Sequence, residues 1–233
     1  MKIKNVEKSS TVDYPPYISA VVFLSGCNFR CPFCYNKDLV DNNSSLPDIP
    51  KDEFLEWLIT REGKLDAVVL TGGEPTIHGQ ELLDFAREIK ELGFKVKLDT
   101  NGSNPDVLCD LIEQKLLDYI AMDIKSDIMH YDEACGVKGK IYDVLVSIAA
   151  IMTSGLPYEF RTTLIPGLHD RHVMTGIASM IKGAPKYAIQ QFKPLNTLDP
   201  TFEKIIPFTE ADMEKFKKDF EYLTTAMEIE FRR

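Results

Sequence analysis

The stretch "ISAVVFLSGCNFRCPFCYN", residues 18–36, runs without a break from an apolar, β-branched segment into a loop that carries Cys27, Cys31 and Cys34. Residues 18–25 are apolar enough to be covered on both faces, as the strands of parallel sheets are. Runs of the same kind recur at 67–71, 95–100, 119–124, 158–164 and 187–192, with helical-period stretches between them. That alternation predicts six βα units around a parallel sheet. Between Gly79 and Gly93, Leu82, Ala86 and Ile89 make one apolar stripe, and over 141–153 Leu145, Ile148 and Met152 make another. A last helix opens with a capping-box pattern, Thr209 to Asp212, carries Met213, Phe216, Phe220 and Leu223 on one face, and is expected to close one side of the barrel. The polar, Pro-bounded segments 41–50 and 193–207 read as surface loops. The expectation is a single domain over 1–233, with a core of about 18–192 and a C-terminal loop and helix at 193–233.

Composition narrows the partners. A net charge of -9 and a pI near 5.0 repel a phosphate backbone, and no basic stripe offsets them, so nucleic acid is not expected. The longest apolar run, residues 18–24, is too short to cross a bilayer, and the opening residues resemble no export signal. A soluble, cytoplasmic protein is expected. Five cysteines, an odd number, point to metal binding or reduced thiols rather than a disulfide framework.

The polar motifs fall where parallel α/β folds gather their sites, at the C-terminal ends of strands. "GCNFRCPFC" follows the first predicted strand, "TGGEP" (71–75) the second, "DTNG" (99–102) the third and "DIK" (123–125) the fourth. Arg161 and Thr163 share a face of the fifth strand, and "QQFKP" (190–194) ends the sixth.

The spacing of Cys27, Cys31 and Cys34 allows two chemistries. Three cysteines and a histidine such as His78 make a structural zinc set. Three thiolates on an iron-sulfur cluster, which normally takes four, leave one iron open to a substrate or cofactor. Spacing alone leaves both open.

Cys27, Cys31, Phe33 and Cys34 form the pattern C-x3-C-x-aromatic-C, and with Gly72, Gly73, Glu74 and Pro75 the chain resembles the radical S-adenosylmethionine (SAM) superfamily. The resemblance implies a partial (βα)6 TIM-like barrel holding one [4Fe-4S] cluster, whose fourth iron is chelated by SAM. It implies reductive cleavage of SAM to methionine and a 5′-deoxyadenosyl radical. GGEP would take the methionyl end of SAM, with Glu74 folded in to brace the loop, and Phe33, Tyr35 and Asn101 would join the cofactor-binding set. The pair DTNG and DIK resembles the activases of glycyl radical enzymes. There it implies a monovalent cation, Na+ or K+, lined by Asp99, Thr100, Asp123 and the Ile124 carbonyl, with Lys125 and Arg161 on the carboxylate or ribose of SAM.

The segment 10–36 is similar to the opening of anaerobic ribonucleoside-triphosphate reductase activating proteins. That likeness implies a glycyl radical enzyme as protein substrate, anaerobic function, and flavodoxin or ferredoxin as reductant. Three positions depart from the activase pattern: Tyr35 stands where many carry His, Pro16 where Gly is common, and no histidine lies at 192–194. Two alternatives accompany this reading: a small-molecule radical SAM enzyme like 7-carboxy-7-deazaguanine synthase, and a non-catalytic zinc module. His169 and His172 read as solvated or capping, Cys109 as a small buried hydrophobe, Cys135 as a spare loop thiol and Trp57 as core.

Overall fold

The computed structural model describes residues 1–41, 46–224 and 227–232. Positions 42–45 of the expected 41–50 loop lie outside the described residues. The chain divides into two compact units: Met1–Asn28, Asp38–Thr100 and Asn104–Ile120 form one, and Phe29–Lys37, Asn101–Ser103 and Ala121–Arg233 the other.

The first unit contains β1 (Ile3–Ser10), β2 (Ser19–Leu24), α2 (Lys51–Ile59), β3 (Ala67–Gly72), α3 (Gln80–Glu91), β4 (Lys95–Thr100) and α4 (Pro105–Glu113), while α1 (Lys37–Val40) begins at its border. Its strands lie in the order β1-β2-β3-β4. β2, β3 and β4 run parallel, from Ser19 beside Ala67 to Leu24 beside Gly72 and from Ala67 beside Lys95 to Leu70 beside Leu98. Leu82, Ala86 and Ile89 of α3 are fully buried, as their period requires. On the other face of the strands, Val21, Ala67 and Val69 pack with Tyr14 from the turn after β1.

β1 was not expected. Its sequence, IKNVEKSS, is too polar for a buried parallel strand, and it pairs antiparallel with β2 instead, with two register irregularities. Charged residues suit such an edge. The same polarity leaves Trp57 half-buried, with Lys8 and Arg61 against its ring, rather than in the core.

The second unit contains most of β5 (Tyr119–Asp123), then α5 (Tyr131–Cys135), α6 (Ile141–Thr153), β6 (Tyr158–Leu164), α7 (Arg171–Met180), β7 (Lys186–Gln191), α8 (Glu210–Leu223) and β8 (Glu228–Arg232). β6, β7 and β8 are parallel and adjacent in that order. β8 was also not expected, because EIEFR alternates charge with apolar residues over only five positions. α6 spans the residues expected and buries Ile148 as expected, but the rest of its buried seam is Val144, Ser147 and Ile151, not Leu145 and Met152. A helix that is apolar nearly all round does not specify its inner face by period. In α8 both halves of the Thr209–Asp212 capping box form. Met213 and Phe220 are buried, Phe220 stacking on Tyr187 at 4.4 Å, whereas Leu223 is exposed.

Candidate functional site

In the first unit the chain leaves β2 through Ser25 and Gly26 into Cys27. Gly26 donates its N–H to Leu39 O at 2.7 Å, and Cys27 to Val40 O at 3.0 Å. The GGEP turn backs onto the same residue, with Glu74 N–H on Gly26 O at 2.8 Å and Gly73 N–H on Leu24 O at 2.9 Å. A Cβ on Gly73 would lie 2.0 Å from Gly26 O, and one on Gly72, at φ +128°, 2.2 Å from Leu24 O. These glycines therefore let two backbones touch, and that contact sets where the cysteine loop starts.

The Glu74 side chain, 1% exposed, accepts from Thr76 N–H at 3.0 Å, Thr76 Oγ1 at 2.6 Å and Thr100 Oγ1 at 2.7 Å. It is a brace, satisfied as buried carboxylates must be. His78, the candidate zinc partner, has its Nε2 on Ser25 O at 3.0 Å, and burial pulls its pKa down.

In the second unit the rest of the cysteine loop is gripped from two sides. Arg30 N–H donates to Cys135 O at 2.8 Å, and Leu198 and Asp199 donate to Cys34 O and Pro32 O, each at 2.9 Å. Phe33 is buried with its ring 6.5 Å from that of Phe202. The 193–207 segment, expected as a plain surface loop, thus supports the cysteine loop. Cys135 ends α5 and is buried, and Cys109 is half-buried.

Asp123 Oδ1 accepts from Arg161 Nε at 2.8 Å, and Oδ2 from Lys125 Nζ at 3.0 Å. Burial pushes this carboxyl up, but the two cations outweigh it and hold it well below the usual range. Burial likewise opposes the Lys125 charge, and Asp123 with the Cys31 thiolate overrides it. Burial raises the Cys34 thiol, while the Asn36 N–H and Lys125 pull it back.

His169 is buried, contrary to its solvated reading: Nδ1 accepts from Ile165 N–H and Nε2 donates to Lys125 O, each at 3.0 Å. Tyr35, 41% exposed, borders a cavity of about 320 Å³ with Gln190, Gln191, Lys193, Leu195 and Arg232. Asn101 Oδ1 accepts from Ser103 N–H at 2.9 Å, and Gly102 O from the buried Ser147 Oγ at 2.7 Å.

All five cysteines are free thiols, and thiolates are the donors an iron-sulfur cluster takes. His78, the histidine named to complete a zinc set, already has its Nε2 on Ser25 O.

The alkali cation fits poorly. Asp99 faces Lys97 at 3.1 Å, Thr100 Oγ1 donates to Glu74, both Asp123 oxygens hold cationic side chains, and Ile124 O accepts from Thr162 Oγ1 at 2.8 Å.

The sequence model of the radical SAM superfamily matches residues 21–176, well over half the chain. A Methanocaldococcus jannaschii protein provisionally named a glycyl-radical enzyme activating enzyme is 35% identical over 93% of this chain and 90% of its own. The pyruvate formate-lyase-activating enzyme of Clostridium pasteurianum is 28% identical over 97% of this chain and 98% of its own. Among solved structures, Streptococcus suis SuiB bound to S-adenosylmethionine superimposes with a TM-score of 0.68 at 14% identity, covering 91% of this chain and 51% of that one. The chain spans about half the length of the SuiB structures. The fold and the site define a radical enzyme built on parallel βα units, and the chain belongs to the radical SAM superfamily. The family implies a [4Fe-4S] cluster and SAM as its cofactors. Among the described residues no helix is long and apolar enough to cross a membrane.

Sequence reasoning missed four supporting residues. Lys97, Ser147, Gly136 and His169 act through contacts with residues distant in sequence, and nothing in their neighbours signals those contacts.

Proposed function

We propose that the protein is a glycyl radical enzyme activase acting as one catalytic domain over 1–233. The observation that carries this reading is the relative of activase name that aligns over nearly the whole of both chains. Cys27, Cys31 and Cys34 would hold the cluster. Gly72, Gly73, Glu74 and Pro75 would receive the methionyl end of SAM, Lys125 and Arg161 its carboxylate or ribose, and Phe33, Tyr35 and Asn101 the remainder. When bound, cluster and SAM supply the 5′-deoxyadenosyl radical after one electron from a flavodoxin or ferredoxin. The chain's own residues place these groups and keep water from them.

The partner would be a glycyl radical enzyme, with anaerobic ribonucleoside-triphosphate reductase as the leading candidate. An alkali cation is left out, because the two carboxylates named for it each face a cationic side chain of the protein, Asp99 that of Lys97 and Asp123 those of Lys125 and Arg161.

The test is anaerobic reconstitution with iron and sulfide, dithionite reduction with SAM, and chromatography for 5′-deoxyadenosine, followed by electron paramagnetic resonance of a reductase mixed with the protein. Deoxyadenosine with a glycyl radical doublet supports the activase. Deoxyadenosine formed without a partner radical points to a small-molecule substrate, and zinc at one per chain with no deoxyadenosine ends the enzymatic reading.

A further inference from the structure

Lys97 is a lysine whose side chain is only 4% exposed, an expensive place for a charge unless it is compensated. Its ammonium lies 3.1 Å from Asp99 Oδ1, donates to Asp13 O and sits 5.7 Å from the centroid of the Tyr119 ring. A carboxylate, a carbonyl oxygen and an aromatic face are the ligands that would otherwise surround a bare monovalent cation. Asp99, 13% exposed, is the carboxylate to which the activase resemblance assigns such an ion.

We propose that Lys97 is a built-in cation for Asp99, so that this enzyme needs no dissociable Na+ or K+. This inference rests on the radical SAM reading of DTNG and DIK. Lys97 and Asp99 share one face of β4 by the two-residue period, so the strand itself delivers the charge. An alkali ion on the same carboxylate would stand beside a fixed ammonium in a site of low exposure, where like charges repel strongly. The other carboxylate named for the ion, Asp123, is neutralised within its own unit by Lys125 and Arg161.

Thermal unfolding of the protein in KCl, NaCl and tetramethylammonium chloride at equal ionic strength tests this without turnover. The wild-type midpoint should agree within about 2 °C across the salts, while Lys97→Met should gain about 4 °C or more from K+ or Na+. The reconstituted wild type should bind SAM equally in all three, and Lys97→Met should lose about tenfold when alkali cations are withheld. A wild type that K+ or Na+ stabilises, or a Lys97→Met variant indifferent to them, overturns the proposal. If Lys97→Met does not fold in any salt, the wild-type comparison decides alone. Failure of deoxyadenosine formation would count against the enzymatic reading, whereas the salt response of the wild type concerns Lys97 only.

Discussion

Glu74 and His169 show two grades of legibility at the scale of single residues. Glu74 was expected to fold in and brace its loop, because a carboxylate in a glycine turn after a strand has few other uses, and it does so with three donors. Glu74→Ala deprives all three of their acceptor and should cost about 2–4 kcal/mol in chemical denaturation, with reduced iron uptake because the turn whose backbone N–H holds Gly26 O loses its brace. His169 could not be read in this way. Its partner Lys125 O is brought to it by the separate loop after β5, and only Ile165 N–H lies in its own loop. Burial lowers its pKa below the usual imidazole value near 6.5. The unfolded chain then binds the extra proton below about pH 6.5 and the folded chain does not, so stability is lost as the pH falls. Thermal unfolding from pH 7 to pH 5 should show this slope in the wild type. His169→Gln should start lower at pH 7 but descend less steeply.

Elements that bury apolar residues on both faces were legible almost to the residue, and elements at the edges were not. β2 and β3 lie within a residue of the positions expected of them, since the continuous apolar runs AVVFL and AVVL have no alternative reading. β1 and β8 are polar edge strands held by pairing and ion pairs. Arg232 reaches from β8 to the buried Glu159 of β6 with bonds of 2.8 and 2.6 Å, while Lys186 lies 3.8 Å away. Arg232→Ala should destabilise by about 2–3 kcal/mol, less than a fully buried pair, because Lys186 remains and the arginine is partly exposed. The α5 turn has a different duty. Gly136, at φ +70°, lies so close to Arg30 that a Cβ would be 2.1 Å from its carbonyl oxygen. Gly136→Ala should push the cysteine loop outward, costing about 1–3 kcal/mol from backbone strain and lowering the iron bound per chain after reconstitution.

For the molecule as a whole, the decisive prediction concerns the three cysteines together. Cys27→Ala, Cys31→Ala and Cys34→Ala should each yield protein without the brown chromophore and without deoxyadenosine, while Cys109→Ala should retain both, because only the first three share the loop. Read alone, the sequence determined the βα repeat and the family, since each depends on local order: apolar period, motif spacing, and turns that follow strands. Tertiary structure decided what holds these parts in place. It put Glu74 N–H on Gly26, Cys135 O and the 193–207 segment on the cysteine loop, and Lys97 on Asp99. Those contacts join residues far apart in the chain or bury charges that composition assigns to water, and close packing, not local pattern, selects them.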